Sequence, residues 1–209
     1  MYDTYMKVIL ASIACNIIEK TKDIFGKPFK EIQITVIPTV ANTYAVDNRP
    51  WFDKELNVFK KLGFNIKILE IENKNKEEIK EGLKNTEAIF VTGGNTYYLL
   101  YHAKKSGLFS LIKEMVSTGV IYIGSSAGSI LAGLNVDIAR RFDDSSIVDL
   151  KNYEGLAFTQ SLILPHFDKK ENTEELKETV KEWEHKGYKI TSLRNDQALI
   201  IDENSEYII

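Results

Sequence analysis

Short apolar runs alternate with amphipathic stretches along the chain. Runs rich in Val, Ile and Leu stand at "KVILAS" (7–12), "QITVIP" (33–38), "NIKILEI" (65–71) and "AIFVTG" (88–93). Further runs follow at "VIYIG" (120–124), "SLILPH" (161–166), "KIT" (189–191) and "ALIID" (198–202). These read as β-strands, because they are short, β-branched and bounded by turn residues. Between several of them lie helical patterns. In "WFDKELNVFKKLG", Trp51, Phe52, Leu56, Phe59 and Leu62 recur near helical spacing and Gly63 supplies the stop. Alternation of this kind predicts an α/β fold with a mostly parallel sheet and helices on both faces, a three-layer sandwich. Strands apolar on both sides agree with a doubly covered sheet. The closing "EYII" also reads as a strand, but the sequence shows no partner for it.

Composition narrows the picture without changing it. A chain of 209 residues with 44% apolar content is long enough for one well-buried core and short for two. No internal repeat or Pro/Gly/Ser linker interrupts it, so residues 1–209 read as one domain. The net charge of −3 arises from 27 basic and 30 acidic residues that are intermixed, as in "NKNKEEIKEGLKN", which marks solvated helix faces. No basic stripe interleaves with aromatics, so nucleic acid is not an expected partner. No run is long enough to span a bilayer, and no membrane partner is expected. The single cysteine, Cys15, cannot form an intrachain disulfide. "MKVILASIAC" is too short and too poorly flanked, with Asp3 ahead of it, to read as an export signal rather than a first strand. A cytoplasmic location follows as an expectation.

Three stretches could carry chemistry, and all fall just after strands, where α/β sheets place their ligands. In "GVIYIGSSAGSILAG" (119–133), the register Gly124-x-Ser126-x-Gly128 matches a nucleophile elbow and selects Ser126 over Ser125 and Ser129. In "FVTGGNTYYLL" (90–100), Gly93 and Gly94 leave backbone N–H groups uncovered, and Asn95 or Thr96 can cap the helix beyond. No Gly-Lys-Ser/Thr ending follows, which disfavours a nucleotide-binding loop. In "LILPHFD" (162–168), His166 ends an apolar strand, on the sheet edge where the elbow is expected. Of the other two histidines, His185 lies at a charged helix end and His102 one turn beyond the Gly-Gly loop, positions that suit surface or packing. A partner for His166 is expected in "SLRNDQALII", where Asp196 is the only carboxylate and Asn195 stands beside it. The order Ser126, His166, then Asp196 or Asn195 differs from the Ser, acid, His order of α/β-hydrolases.

The combination "FVTGGNTYYLL", "YIGSSAGSI" and "LPHFD" resembles the peptidase E family of serine peptidases, which includes aspartyl dipeptidases and, more distantly, cyanophycinases. The resemblance implies a class I glutamine-amidotransferase-like (flavodoxin-like) architecture, with Ser126 as nucleophile and His166 as base. It implies oxyanion donors at Gly94 (or Gly93) and Ala127, and an acidic third member in the late loop. There a strict match falls on Asn195, with Asp196, the preferred residue, one place later. Substrate contacts are expected from Asn95 and from Asp144 or Asp143, a carboxylate being suited to a free peptide amino group. The family's substrate-binding arginine has no counterpart: its match falls near Glu174, and no arginine occurs from 142 to 193. Strict Asp-Xaa specificity is therefore not expected unless Arg49, Arg140 or Arg141 reaches the pocket. The function expected is a small-peptide exopeptidase or dipeptidase, with a small peptide as partner and no metal or organic cofactor. A homodimer, a non-peptide amide or ester substrate, and a catalytically silent binding role remain open alternatives.

Overall fold

The structure, a computed structural model, describes residues 6–43, 49–203 and 205–209; Asp3 of the N-terminal stretch lies outside them. Nine strands are described: β1 (Lys7–Ala11), β2 (Gln33–Ile37), β3 (Asn65–Ile68), β4 (Ala88–Val91), β5 (Ile121–Ser125), β6 (Ser161–Leu164), β7 (Lys189–Ser192), β8 (Ala198–Asp202) and β9 (Ser205–Ile208). Six α-helices accompany them: α1 (Pro50–Lys61), α2 (Lys76–Gly82), α3 (Thr96–Lys105), α4 (Leu108–Ser117), α5 (Ala127–Ala132) and α6 (Thr173–His185). Among the described residues, no helix is long and apolar enough to cross a membrane.

Seven strands form one sheet in the order β3-β2-β4-β5-β1-β8-β9. The first five run parallel, and β8 and β9 add to the β1 edge antiparallel. The period-2 geometry of a strand divides its side chains between two apolar layers. Val8, Leu10, Ile89, Val91, Tyr122, Leu199 and Ile201 belong to one buried cluster, together with residues of α3, α4 and α5. Ile9, Ala11, Phe90, Ile123, Ala198 and Ile200 belong to the other, together with Phe52 and Phe59 of α1 and the 3-10 stretch at Ile18–Phe25. The sheet is thus covered on both faces, an α/β sandwich of the class I glutamine-amidotransferase-like kind. Phe59 stacks on Phe90 with ring centroids 4.5 Å apart, joining α1 to the centre of the sheet.

Two expectations change. "EYII" does have a partner: β9 pairs antiparallel with β8, matching Leu199 with Ile208 and Ile200 with Tyr207. The strand before His166 does not belong to the main sheet. Among the described residues β6 pairs only with β7, in a separate two-stranded parallel ladder that matches Ser161 with Lys189 and Leu164 with Ser192. An apolar run identifies a strand without naming its neighbour, because pairing is set by contacts distant in sequence.

The placement of the site follows from register. Ala11 sits opposite Ser125 and Val91 opposite Gly124, so β1, β4 and β5 end side by side. The residues that follow them, Ser12, Gly93, Gly94 and Ser126, meet at one carboxyl edge of the sheet.

Candidate active site

The elbow is built from the two glycines that flank Ser126. A Cβ at Gly124 would lie 2.6 Å from the Gly128 carbonyl carbon, and one at Gly128 would lie 2.2 Å from the Val91 oxygen. Only glycine allows α5 to lie this close to β5 and β4. Ser126 itself takes φ +49° and ψ −109°, a strained conformation for a residue with a side chain. It is held by its own N–H, which donates to the Ala11 carbonyl at 3.1 Å. Its neighbour Ser129 donates to the same oxygen at 2.7 Å. Ser125 Oγ is tied instead to Glu55, so of the two adjacent serines Ser126 is the one that meets His166.

His166 meets Ser126 from the other side. Its Nε2 lies 2.9 Å from Ser126 Oγ, and its Nδ1 lies 2.7 Å from Asn195 Oδ1. His166 also has positive φ, +60°. Its backbone N–H donates to Ser12 Oγ at 2.8 Å, and Ser12 Oγ stands 3.3 Å from both Nδ1 and Asn195 Oδ1. The residue beside Nδ1 is therefore Asn195 and not Asp196. The Asp196 carboxylate is exposed and 3.3 Å from Arg194 Nε, in a contact of its own turn. Successive loop residues point in different directions, and here the amide turns inward.

A cavity of about 470 Å³ opens in front of Ser126 and His166. Gly93 and Gly94 form part of its wall. A Cβ on Gly93 would stand 3.2 Å from Ser126 Cβ. Gly94 has φ +139°, and a Cβ there would come within 2.5 Å of the Val40 oxygen. Gly93 brings bare backbone beside Ser126, Gly94 packs its own against Val40 in the same wall, and Ala127 follows Ser126 as the first residue of α5.

Neither Asn95 nor Asp144 lines the cavity. Asn95 Oδ1 caps α3 by accepting from the Tyr97 and Tyr98 N–H groups, and its Nδ2 donates to the Asp144 carbonyl at 2.9 Å. The Asp144 carboxylate is exposed and accepts from Ser146 N and Oγ in its own turn. Of these two neighbouring aspartates the one that lines the cavity is Asp143, whose Oδ2 accepts from Thr96 N–H at 2.8 Å and Thr96 Oγ1 at 2.6 Å. Burial raises its pKa, against the opposing pull of the Thr96 bonds and of His166. The sequence leaves Asp143 and Asp144 as alternatives; in the fold Asn95 Nδ2 holds the carbonyl of the second, whose carboxylate turns outward to Ser146.

The arginines are engaged elsewhere. Arg140 pairs with Glu182 of α6, and Arg141 reaches Glu178 and Glu182, each at 3.3 Å. Arg49 donates to Asn42 Oδ1 at 3.2 Å and lies over the Phe52 ring. The cations lining the cavity are Lys54 and Lys169. Of the remaining histidines, His102 packs against Tyr98 and Tyr101, and His185 is exposed at the end of α6. Glu174 pairs with Lys177 on the exposed face of α6.

One residue of this region went unnoticed in the sequence. Glu55 is 3% exposed and lines the cavity from α1. Its Oε1 accepts from Ser125 Oγ at 2.5 Å and from the Ala14 N–H at 3.0 Å, while Oε2 has no hydrogen-bond partner among the described residues. Burial pushes its carboxyl up to about 7, only partly offset by those bonds. The available signal was a carboxylate on the apolar stripe of α1, between Phe52 and Phe59.

Comparison with known proteins shows the family and the fold. The sequence description of peptidase family S51 matches residues 12–209. An uncharacterized peptidase of Listeria monocytogenes is 30% identical over 169 residues, covering 80% of this chain and 81% of that protein. A peptidase E of Nostoc is 29% identical over 149 residues, covering 71% of this chain and 57% of that one. Among solved structures, a candidate peptidase E protein from Listeria monocytogenes superposes with a TM-score of 0.88 at 26% identity, covering 98% of both chains. A peptidase from an acI-B1 actinobacterium shares the fold, with a TM-score of 0.73 at 18% identity over 99% of this chain and 88% of that one.

Proposed function

Because the chain belongs to peptidase family S51 and is a serine-type peptidase, we propose that it hydrolyses small peptides from their amino end through an acyl-enzyme on Ser126. The observation that carries this reading is the relay from Ser126 Oγ to His166 Nε2 at 2.9 Å and from His166 Nδ1 to Asn195 Oδ1 at 2.7 Å.

In the proposed reaction, Ser126 Oγ attacks the scissile carbonyl carbon as His166 Nε2 takes its proton. The oxyanion receives hydrogen bonds from the N–H groups of Ala127 and Gly94 or Gly93, each donor contributing about 10²–10³ in turnover. The imidazolium then gives its proton to the leaving amine, and water hydrolyses the acyl-enzyme with His166 as base again. Asn195 accepts from Nδ1–H, which leaves Nε2 free to accept from Ser126.

Two features support small substrates with a free amino group. The cavity volume of about 470 Å³ suits a short peptide. Asp143 places a carboxylate in its wall, where an α-ammonium group can be bound. No arginine lines the cavity, which argues against strict selection of an N-terminal aspartate.

The test is mass-spectrometric digestion of a mixed dipeptide and tripeptide library by wild type and Ser126→Ala. Removing a serine nucleophile costs about 10⁶ in turnover, so cleavage vanishes in the variant. Cleavage retained by Ser126→Ala, or none by wild type, overturns the proposal.

A further inference from the structure

The third group of the relay is an amide, and an amide has two unlike ends. With Oδ1 facing Nδ1, the imidazole carries its hydrogen on Nδ1 and leaves Nε2 as an acceptor for the Ser126 proton. Turned over, the same amide would present an N–H to Nδ1. The ring would then hold its hydrogen on Nε2 and could not act as base. A carboxylate has no such ambiguity, so a relay ending in Asn195 needs a group that sets the amide's orientation.

Ser12 stands where such a group is needed. It is fully buried and follows β1, with its backbone N–H donating to the Gln197 carbonyl at 3.1 Å. Its hydroxyl donates to Asn195 Oδ1 at 3.3 Å, drawing that oxygen toward the Nδ1 side. Ser12 Oγ itself accepts the His166 backbone N–H at 2.8 Å, and so holds a residue whose φ of +60° is disfavoured for any residue with a side chain. The Asn195 backbone is secured separately. Its N–H donates to Asp168 Oδ1 at 3.1 Å, and its carbonyl accepts from Asn16 Nδ2 at 2.9 Å. These backbone contacts place Asn195 but leave its amide free to turn; because Ser12 Oγ already accepts the His166 N–H, it meets the amide with its hydroxyl hydrogen, which favours Oδ1 over Nδ2 at that position.

We propose that Ser12 is a positioning residue of the relay, holding the His166 backbone and directing Asn195 Oδ1 onto Nδ1 so that the imidazole keeps the tautomer in which Nε2 is the base. The inference deepens the proposed function and rests on it for its kinetic test, but not for its spectroscopic one.

The kinetic test is a double-mutant cycle between Ser12→Ala and Asn195→Asp. In the wild-type background, Ser12→Ala lowers kcat about 10- to 100-fold with KM little changed, within the coupling range of groups sharing one network. In the Asn195→Asp background both side-chain oxygens accept, and the same substitution costs only about 2- to 5-fold, the worth of one backbone anchor. Equal losses in the two backgrounds, or none in either, overturn the proposal. Ser12→Cys, which keeps the volume but donates weakly, gives the same pattern and serves where Ser12→Ala does not fold. Independently of turnover, imidazole ¹⁵N shifts show the Nδ1–H tautomer of His166 in the wild type and a mixture in Ser12→Ala. An unchanged tautomer in the variant overturns the proposal. Wild type without Ser126-dependent cleavage defeats the proposed function instead, and leaves the tautomer measurement to decide on Ser12.

Discussion

Asn195 and Asp196 are neighbours in the chain, yet only the first touches His166. Asn195 Oδ1 is 2.7 Å from Nδ1, while the Asp196 carboxylate is exposed beside Arg194. Asn195→Ala therefore lowers kcat/KM for a cleaved peptide by about 10²- to 10⁴-fold, the cost of a lost tautomer and orientation. Asp196→Ala stays within about threefold, since an exposed ion pair contributes little. A large loss at Asp196 would return the role to the carboxylate. The sequence carried the chemistry of this loop but not its direction. It narrowed the neighbour of His166 to two adjacent residues and favoured Asp196 by charge, whereas the backbone decides which side chain turns inward. At the elbow the situation is reversed. Gly124 and Gly128 leave no room for any other side chain, so the register that selects Ser126 over Ser125 could be read directly.

At the scale of an element, α1 shows what a pattern can and cannot reveal. Its helix was legible from Phe52 and Phe59, and the observed span is Pro50–Lys61. The same stripe buries Glu55, which a reading of "DKEL" as a charged surface passes over. This carboxyl is held up to about 7 by burial, against 4.5 for the ordinary group. Between these pH values the unfolded chain has released the proton and the folded one still binds it, so this group's contribution to stability falls as pH rises from 4.5 to 7. The loss is on the order of 3 kcal/mol and is complete above the folded value. Glu55→Gln removes it. The melting temperature of the variant therefore gains on wild type by about 5–10 °C as pH rises from 5 to 8, measured by calorimetry. A gap independent of pH would show that Glu55 is ionised in the fold throughout. The strands were legible to within a few residues, but not their partners. β9 finds β8 through a hairpin, and β6 leaves the main sheet altogether, because local composition does not encode distant pairing.

For the whole molecule, the separation of β6 and β7 from the main sheet divides the relay among supports of unequal strength. Ser126 follows β5, which lies between β4 and β1 within seven strands, whereas His166 follows β6 in a ladder of two. A two-stranded ladder has little stability of its own, and this one depends on the helices packed around it. The 2.9 Å between Ser126 Oγ and His166 Nε2 is thus a tolerance between two parts, not a dimension within one. Backbone hydrogens at 161–164 and 189–192 exchange faster than those at 121–125, and in rising urea turnover fails before the main sheet melts; coincident loss would show that both sheets unfold as one unit. Seen this way, the enzyme's first symptom of damage is misalignment. A preparation can look fully folded by its sheet content and already have stopped working.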